Sequence, residues 1–311
     1  MKRFSLSTLG VAFVALLFAT TGSAQPAKHA GATGPAAAKG PAKAAKLPPL
    51  PANIKARGRW NIGVKCDVPP FGYIDVRGKN AGFDVEIARQ FARYAFGRGT
   101  SVNFLCAPTA SREPLLTNDR ADLVISTFTY TADREARIDF SRAYYKATGR
   151  LLVKNDGAVQ KLADIAGKKV ATTSGSVYDR WMKNCFKSTE VVVADTFTNA
   201  MLAFQQGRAD AVMYDDAVLL PVAAADRNAK LTDEAFLEAP FGIGIKQGNK
   251  ALKAWVDSRL NLMRTKDQFF PILKANIAPR FLTSFSKNVL RPNNTFSYAA
   301  AGAPSVETVC P

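Results

Sequence analysis

ADLVISTFTYTADREARIDFSRAYY, residues 121–145, decides the reading of this chain. Its opening is apolar enough for a short buried strand over 122–126. That strand runs into a turn rich in hydroxyls, Thr127, Thr129 and Thr131, followed by Arg134. Hydroxyls and free backbone N–H groups donate hydrogen bonds, and a guanidinium offers two parallel donors, so a strand ending this way suits a carboxylate. Arginines also follow strands on ordinary surfaces, so the stretch needs support from its neighbours.

The same strand-then-helix rhythm extends along the chain. Strands are predicted over 60–65, 102–105, 169–172, 190–193, 211–213 and 241–246. Helices are predicted over 84–96, 113–118, 177–186, 196–206, 250–263 and 266–275; the first has an acidic start and carries Ile87, Phe91 and Tyr94 or Ala95 on one face. Repeated βαβ units make mostly parallel sheets with covered faces. Because the series restarts after Leu151, the chain is expected to be an α/β protein of two lobes with a cleft between them. Lobe one takes residues 57–148 and 246–287, and lobe two takes 149–245. Ligands of open α/β sheets gather at the carboxyl ends of strands.

Ahead of the lobes, Lys2 and Arg3 precede an apolar run over 9–18 and the small residues Thr21, Gly22, Ser23 and Ala24. This is the pattern of a secretory signal peptide over 1–24, its run too short to span a bilayer. No cysteine lies near the cleavage point, which argues against a lipid anchor there. Residues 25–56, rich in Ala, Pro, Gly and Lys and without an acidic residue, read as a disordered tether, and 288–311 as a tail. An exported, periplasmic, soluble protein is expected.

Composition removes several classes of function. The chain is +17, and +9 remains once Lys2, Arg3, Lys28, Lys39, Lys43, Lys46, Lys55 and Arg57 are set aside, a surplus that favours anionic ligands or surfaces. Nucleic acid is not an expected partner, because the basic residues are scattered and not interleaved with stacking aromatics. The single histidine, His29, lies in the tether, which removes Ser-His-Asp and Cys-His catalysis and most zinc sites from the lobes. Neither a Walker-type phosphate loop nor calcium-loop spacing occurs, so no cofactor or metal is expected.

What remains at the strand ends has one chemistry. Asp67 follows the first strand, beside Phe71; Thr127, Thr129 and Arg134 follow the third; Asp215 and Asp216 follow the 211–213 strand. The turn of Thr173, Ser174, Gly175 and Ser176 opens a helix, where free N–H groups would bind an anion. An arginine and a helix start for a carboxylate, with an aspartate for an ammonium, are what an α-amino acid needs. Each has an ordinary reading alone, Asp215 as a helix cap and Ser174 to Ser176 as turn chemistry. Their shared place at strand ends is what joins them.

Four strings now carry a resemblance: GVKCDVPPFGY (63–73), GFDVEIA (82–88), TADR (131–134) with IDFS (138–141), and GRADAV (207–212) leading to Asp215. In this order and spacing the chain resembles the polar amino-acid-binding proteins of ABC importers, solute-binding family 3, over about residues 60–275. The resemblance implies a monomeric clamshell, not an enzyme, that closes on one amino acid and serves a membrane permease. It implies that Arg134 grips the α-carboxylate and Asp215 takes the α-ammonium. Thr127 and Thr129 would complete the main-chain cradle, with Phe71 and Phe128 near the aromatic walls. Ser174 and Ser176 match a second-lobe turn, although Val177 stands where glycine is common.

Selectivity is read from ASREPLL, residues 110–116, which resembles a segment of members that bind glutamate or aspartate. Arg112 in the cleft would pair a second carboxylate; the alternative is an exposed arginine at a helix start. Asp67 points the other way, to basic or amide side chains. Acidic amino acids are preferred, with glutamine, other polar amino acids and cystine as alternatives. Cyclohexadienyl dehydratases, which share the clamshell, are the competing class, with Asp179 as the candidate acid. Four cysteines in an exported protein point to disulfides with three possible connectivities. Cys66 and Cys106 end strands that the fold makes neighbours, and Cys185 is left for Cys310 of the tail.

Overall fold

The computed structural model of the protein describes residues 47–298 and 305–311. The predicted leader, and residues 25–46 of the predicted tether, lie outside the described residues. The end of that tether departs from expectation: Ala52–Arg57 is a short helix with Ile54 buried, closed by Gly58 at φ 71°.

Two sheets carry the fold. The first runs, edge to edge, Val102–Cys106, Trp60–Val64, Leu123–Val124, Gly244–Lys246 and Ile138–Phe140. Its first three strands are parallel, and Gly244–Lys246 is antiparallel to both neighbours. In the second sheet Glu190–Ala194, Lys169–Thr173 and Ala211–Asp215 are parallel. The ten-residue strand Tyr145–Lys154 is antiparallel to Ala211–Asp215, and Ala229–Leu231 and Phe236–Phe241 are antiparallel to it in turn. Each lobe therefore has a parallel βαβ core. The antiparallel strands flank the two crossings between sheets, at 141–144 and 242–243, because a chain that leaves a lobe and returns must reverse direction. The single strand predicted over 241–246 is split there into two.

Apolar spacing decides which helix faces are buried. Phe83–Phe96 turns Val85, Ile87 and Phe91 inward, and Lys250–Thr265 turns Leu252, Trp255 and Val256 inward. They meet where Trp255 packs against Trp60 and Phe91, with ring centroids 5.3 and 5.6 Å away. Full burial of one such side chain contributes about 1.5–3 kcal/mol.

Cysteines join elements of each lobe. Cys66 and Cys106 link the ends of neighbouring strands, with Cα atoms 5.5 Å apart. Cys185 and Cys310 link the helix Val177–Cys185 to the tail, with Cα atoms 5.2 Å apart. On lobe one, the tail's Tyr298 stacks on Tyr130 (centroids 4.0 Å) and donates to the Ser141 carbonyl at 2.6 Å. On lobe two, Trp181 Nε1 donates to the Val309 carbonyl at 2.8 Å, and Asn184 to that of Glu307 at 2.9 Å. Among the described residues no helix is long and apolar enough to cross a membrane.

Candidate functional site

The quoted stretch builds the first wall. After Leu123–Val124 the chain stays buried through Ser126, and Thr127 then takes φ 42°. A β-branched residue adopts this left-handed backbone only when its surroundings enforce it. Here they do so from both sides of the peptide. The Thr127 N–H donates to Asp84 Oδ2 at 2.8 Å, and the Thr127 carbonyl accepts from Arg112 Nη1 at 3.0 Å. Asp84 also accepts from the Tyr144 hydroxyl at 2.9 Å, and burial raises its carboxyl to about 7.

Arg112 is buried, not exposed at its helix start. It donates from Nε to the Thr109 carbonyl at 3.0 Å, and from Nη1 also to the Ser126 carbonyl at 3.2 Å. Its Nη2 makes no hydrogen bond among the described residues. Two guanidinium groups lie over the Phe128 ring, Arg112 Cζ 4.4 Å and Arg134 Cζ 5.2 Å from its centroid. Such cation–π contacts hold both cations in register.

Arg134 sits in the short helix Ala132–Glu135, whose N-cap Thr131 accepts from the Arg134 N–H at 3.2 Å. Its Nη1 donates to the Thr129 carbonyl at 2.6 Å and its Nη2 to the Gly175 carbonyl of lobe two at 2.9 Å. The buried Nε makes no hydrogen bond among the described residues but faces Glu113 Oε1 at 3.6 Å, a carboxylate that also pairs with Arg137. Burial lowers Arg134 to about 9 and Arg112 to about 10, so both are cations at neutral pH.

Lys65 was not anticipated. It follows the strand Trp60–Val64, is buried, and donates from Nζ to Thr109 Oγ1 at 2.5 Å. Burial, reinforced by the Arg112 charge, brings its ammonium down to about 7, while Asp67 and Asp215 pull it upward. Its flanks, Val64 and Cys66, gave the one available signal: a lysine set in an apolar strand end.

Lobe two supplies Asp215, buried at the end of Ala211–Asp215, with Oδ1 accepting from the Tyr178 hydroxyl at 2.7 Å. Burial raises its carboxyl to about 7, against the Arg112 and Lys65 charges that favour ionisation. It makes no side-chain cap bond to the helix it precedes. The turn at Ser174 to Ser176 differs from expectation. The N–H groups of Ser174, Gly175 and Ser176 donate to Ala194, Asp179 and Thr173. Ser176 Oγ caps its helix by accepting from the Asp179 N–H at 3.0 Å. The helix start is thus satisfied from within, and the turn faces Arg134 with a carbonyl. Asp179 is committed to this cap and to Lys183 Nζ at 2.7 Å.

Two predicted site residues stand apart from this cluster. Phe71 is fully buried among Phe83, Tyr145 and Phe241, in the core and not on a cleft wall. Asp67 reaches lobe two, where its Oδ2 accepts from the Phe197 N–H at 2.8 Å and the Thr198 N–H at 3.4 Å. With Thr173 Oγ1 donating to Thr109 Oγ1 at 3.2 Å and the Arg134–Gly175 bond, these contacts hold the lobes closed on one another. A groove of about 700 Å³ lined by Pro70, Tyr73, Gln205, Pro221 and Arg280 shares no residue with the charged cluster. No group of three or more metal-ligating side chains occurs among the described residues.

The cluster offers paired donors for carboxylates and one acceptor for an ammonium, the complement of an amino acid. Known proteins similar to this chain carry amino-acid-binding names. The glutamine-binding protein GlnH of a Bacillus subtilis ABC transporter is 30% identical over 275 residues, covering 88% of this chain and 96% of the relative. The L-cystine-binding protein TcyJ of Escherichia coli is 28% identical over 214 residues, 68% of this chain and 79% of the relative. Among solved structures, the solute receptor for L-cysteine of Neisseria gonorrhoeae superposes with a TM-score of 0.72 at 26% identity, covering 74% of this chain and 94% of that one. Bacterial extracellular solute-binding proteins, family 3, match over residues 60–276. The chain belongs to that family, a family of binding proteins and not of enzymes.

Proposed function

We propose that the protein captures an acidic L-amino acid, glutamate or aspartate, in the periplasm and delivers it as a monomer to the permease of an ABC importer. One observation carries the acidic preference: the buried Lys65 and Arg112 face the buried Asp215, Arg134 adds a third buried cation, and the carboxylates of Asp84, Asp67 and Glu113 that neighbour them are held by other protein groups. A ligand with two carboxylates and one ammonium balances that set, whereas a basic side chain would meet like charge at close range. In this reading Arg134 holds the α-carboxylate through Nε and Nη2, and the ligand takes the place of Glu113 Oε1, 3.6 Å from Nε, and of the Gly175 carbonyl on Nη2. Asp215 takes the ammonium, and Lys65 with Arg112 Nη2 takes the side-chain carboxylate. Thr127 and Thr129 shape the wall through their backbone, with Phe128 beneath. Residues 1–24 direct export, and residues 25–46 tether the body.

Glutamine is the second reading, favoured because burial lowers the Lys65 ammonium to about 7, and a neutral lysine accommodates an amide. Titration calorimetry with glutamate, aspartate, glutamine, cystine and arginine decides between them. Tightest binding of glutamate or aspartate is the expected result; tighter binding of glutamine or arginine would discard the acidic assignment.

A further inference from the structure

Asp67 follows Lys65 by two residues, yet the two side chains serve different lobes. Lys65 donates within lobe one to Thr109. Asp67 crosses to the first turn of Phe197–Gln205, a nine-residue helix of lobe two. A helix start leaves its first N–H groups without intrahelical acceptors. Here they are divided between the lobes. Thr196 Oγ1, on the helix's own chain, accepts from the Asn199 N–H at 3.2 Å. The Phe197 and Thr198 N–H groups donate to Asp67 of lobe one, at 2.8 and 3.4 Å, and to nothing else among the described residues. A carboxylate at a helix start also meets the positive end of the helix dipole. The neighbouring Cys66 is bonded to Cys106, which fixes the backbone carrying Asp67 to the adjacent strand.

We propose that Asp67 is a closure latch: it caps the Phe197–Gln205 helix only when the lobes are shut, and it touches no ligand. The inference rests on the amino-acid-binding reading, because it assigns Asp67 a part in the closure that retains the ligand. Opening the cleft separates the carboxylate from the helix and returns both to water. The latch therefore acts after capture. It slows departure and leaves arrival unchanged for every ligand that permits closure, and for an acidic ligand its loss also removes a charge that favours the Lys65 ammonium.

Stopped-flow measurement of Asp67→Ala and Asp67→Asn with L-glutamate and L-glutamine tests this. Loss of a charge-assisted hydrogen bond should speed dissociation about tenfold in Asp67→Ala for both ligands, with the association rate unchanged. Asp67→Asn, which keeps an acceptor of the same shape, should show a smaller increase and controls for folding. Unchanged dissociation, a loss confined to one ligand, or a loss in association rate would overturn the latch. Should the wild type bind neither amino acid, the acid and amide readings fail, and the same rates measured with whichever of L-cystine and L-arginine binds decide the latch: faster dissociation in Asp67→Ala supports it, and an unchanged rate overturns it.

Discussion

Lys65 should couple glutamate binding to a proton. In the ligand-free protein, burial and the Arg112 charge lower its ammonium to about 7, so the charge that a side-chain carboxylate requires is lost close to neutral pH. A bound carboxylate favours the protonated form and returns the group toward its ordinary value of 10.5. The bound-state pKa then lies above the free-state one. The contribution of Lys65 is complete below pH 7 and is lost as pH climbs from there toward the bound-state value. One proton per ligand integrates to a loss of about fiftyfold, about 2.3 kcal/mol, between pH 7 and pH 9. Asp215 has the opposite sign: burial lifts its carboxyl to about 7, and a bound ammonium lowers it again, so that its contribution fades as pH falls below 7. Glutamine carries the same ammonium without the second carboxylate, so the glutamate-to-glutamine ratio isolates the lysine. Calorimetry in two buffers of different ionisation enthalpy would count the protons taken up, and Lys65→Met should abolish the alkaline limb. A glutamate affinity that tracks glutamine from pH 7 to pH 9, or an alkaline limb retained in Lys65→Met, would refute the assignment.

Three further outcomes are expected. Arg134→Ala and Asp215→Ala should each weaken binding by about 2–5 kcal/mol, because each leaves a ligand charge unpaired in a closed cleft; near-wild-type affinity by calorimetry would remove that residue from the site. Asp84→Ala should cost about 1–3 kcal/mol of stability in urea unfolding, through the unpaired Thr127 N–H, and should loosen binding without touching ligand. Asp84→Asn, which can still accept that N–H, should recover most of the loss, and equal losses in both variants would point to another cause. Cys185→Ser combined with Cys310→Ser opens a link across 125 residues, and chain entropy sets the destabilisation at up to about 5 kcal/mol. An unchanged melting temperature would show that noncovalent contacts alone fasten the tail.

Much of the fold was legible because its signals are local. Apolar spacing on Phe83–Phe96, or the run of Ala211–Asp215, needs no partner to be recognised. The strands that join the lobes were not legible in this way. Tyr145–Lys154 alternates buried and half-buried over six residues, but it becomes a strand by pairing with Phe236–Phe241 far along the chain. That partner carries Pro240 and a register shift between Phe236 and Glu238, with Leu237 at φ 48°, so neither period survives in its sequence. Nonlocal pairing defined both, and the crossings were accordingly blurred.

For the site, position was readable and direction was not. Residues at strand ends reach the cleft by topology alone, which is why Thr127, Arg134 and Asp215 fall at its walls. Lys65, Asp67 and Phe71 share one string of seven residues yet point to the cleft, the opposite lobe and the core. The strand ends at Val64, so the alternation that would fix their faces stops before them, and the Cys66–Cys106 link redirects the chain. The turn at Ser174 to Ser176 held a clue that its resemblance to an anion site obscured. Ser176 followed three residues later by Asp179 is a capping pattern, and the chain thereby brings its own anion to that helix start. The consequence reaches the proposed binding mode. With lobe two's N–H groups already satisfied, an α-carboxylate is gripped from lobe one by Arg134, and lobe two contributes Asp215 to the ammonium. Lobe one then holds the carboxylates of the ligand and lobe two its ammonium, so neither completes the site without closure.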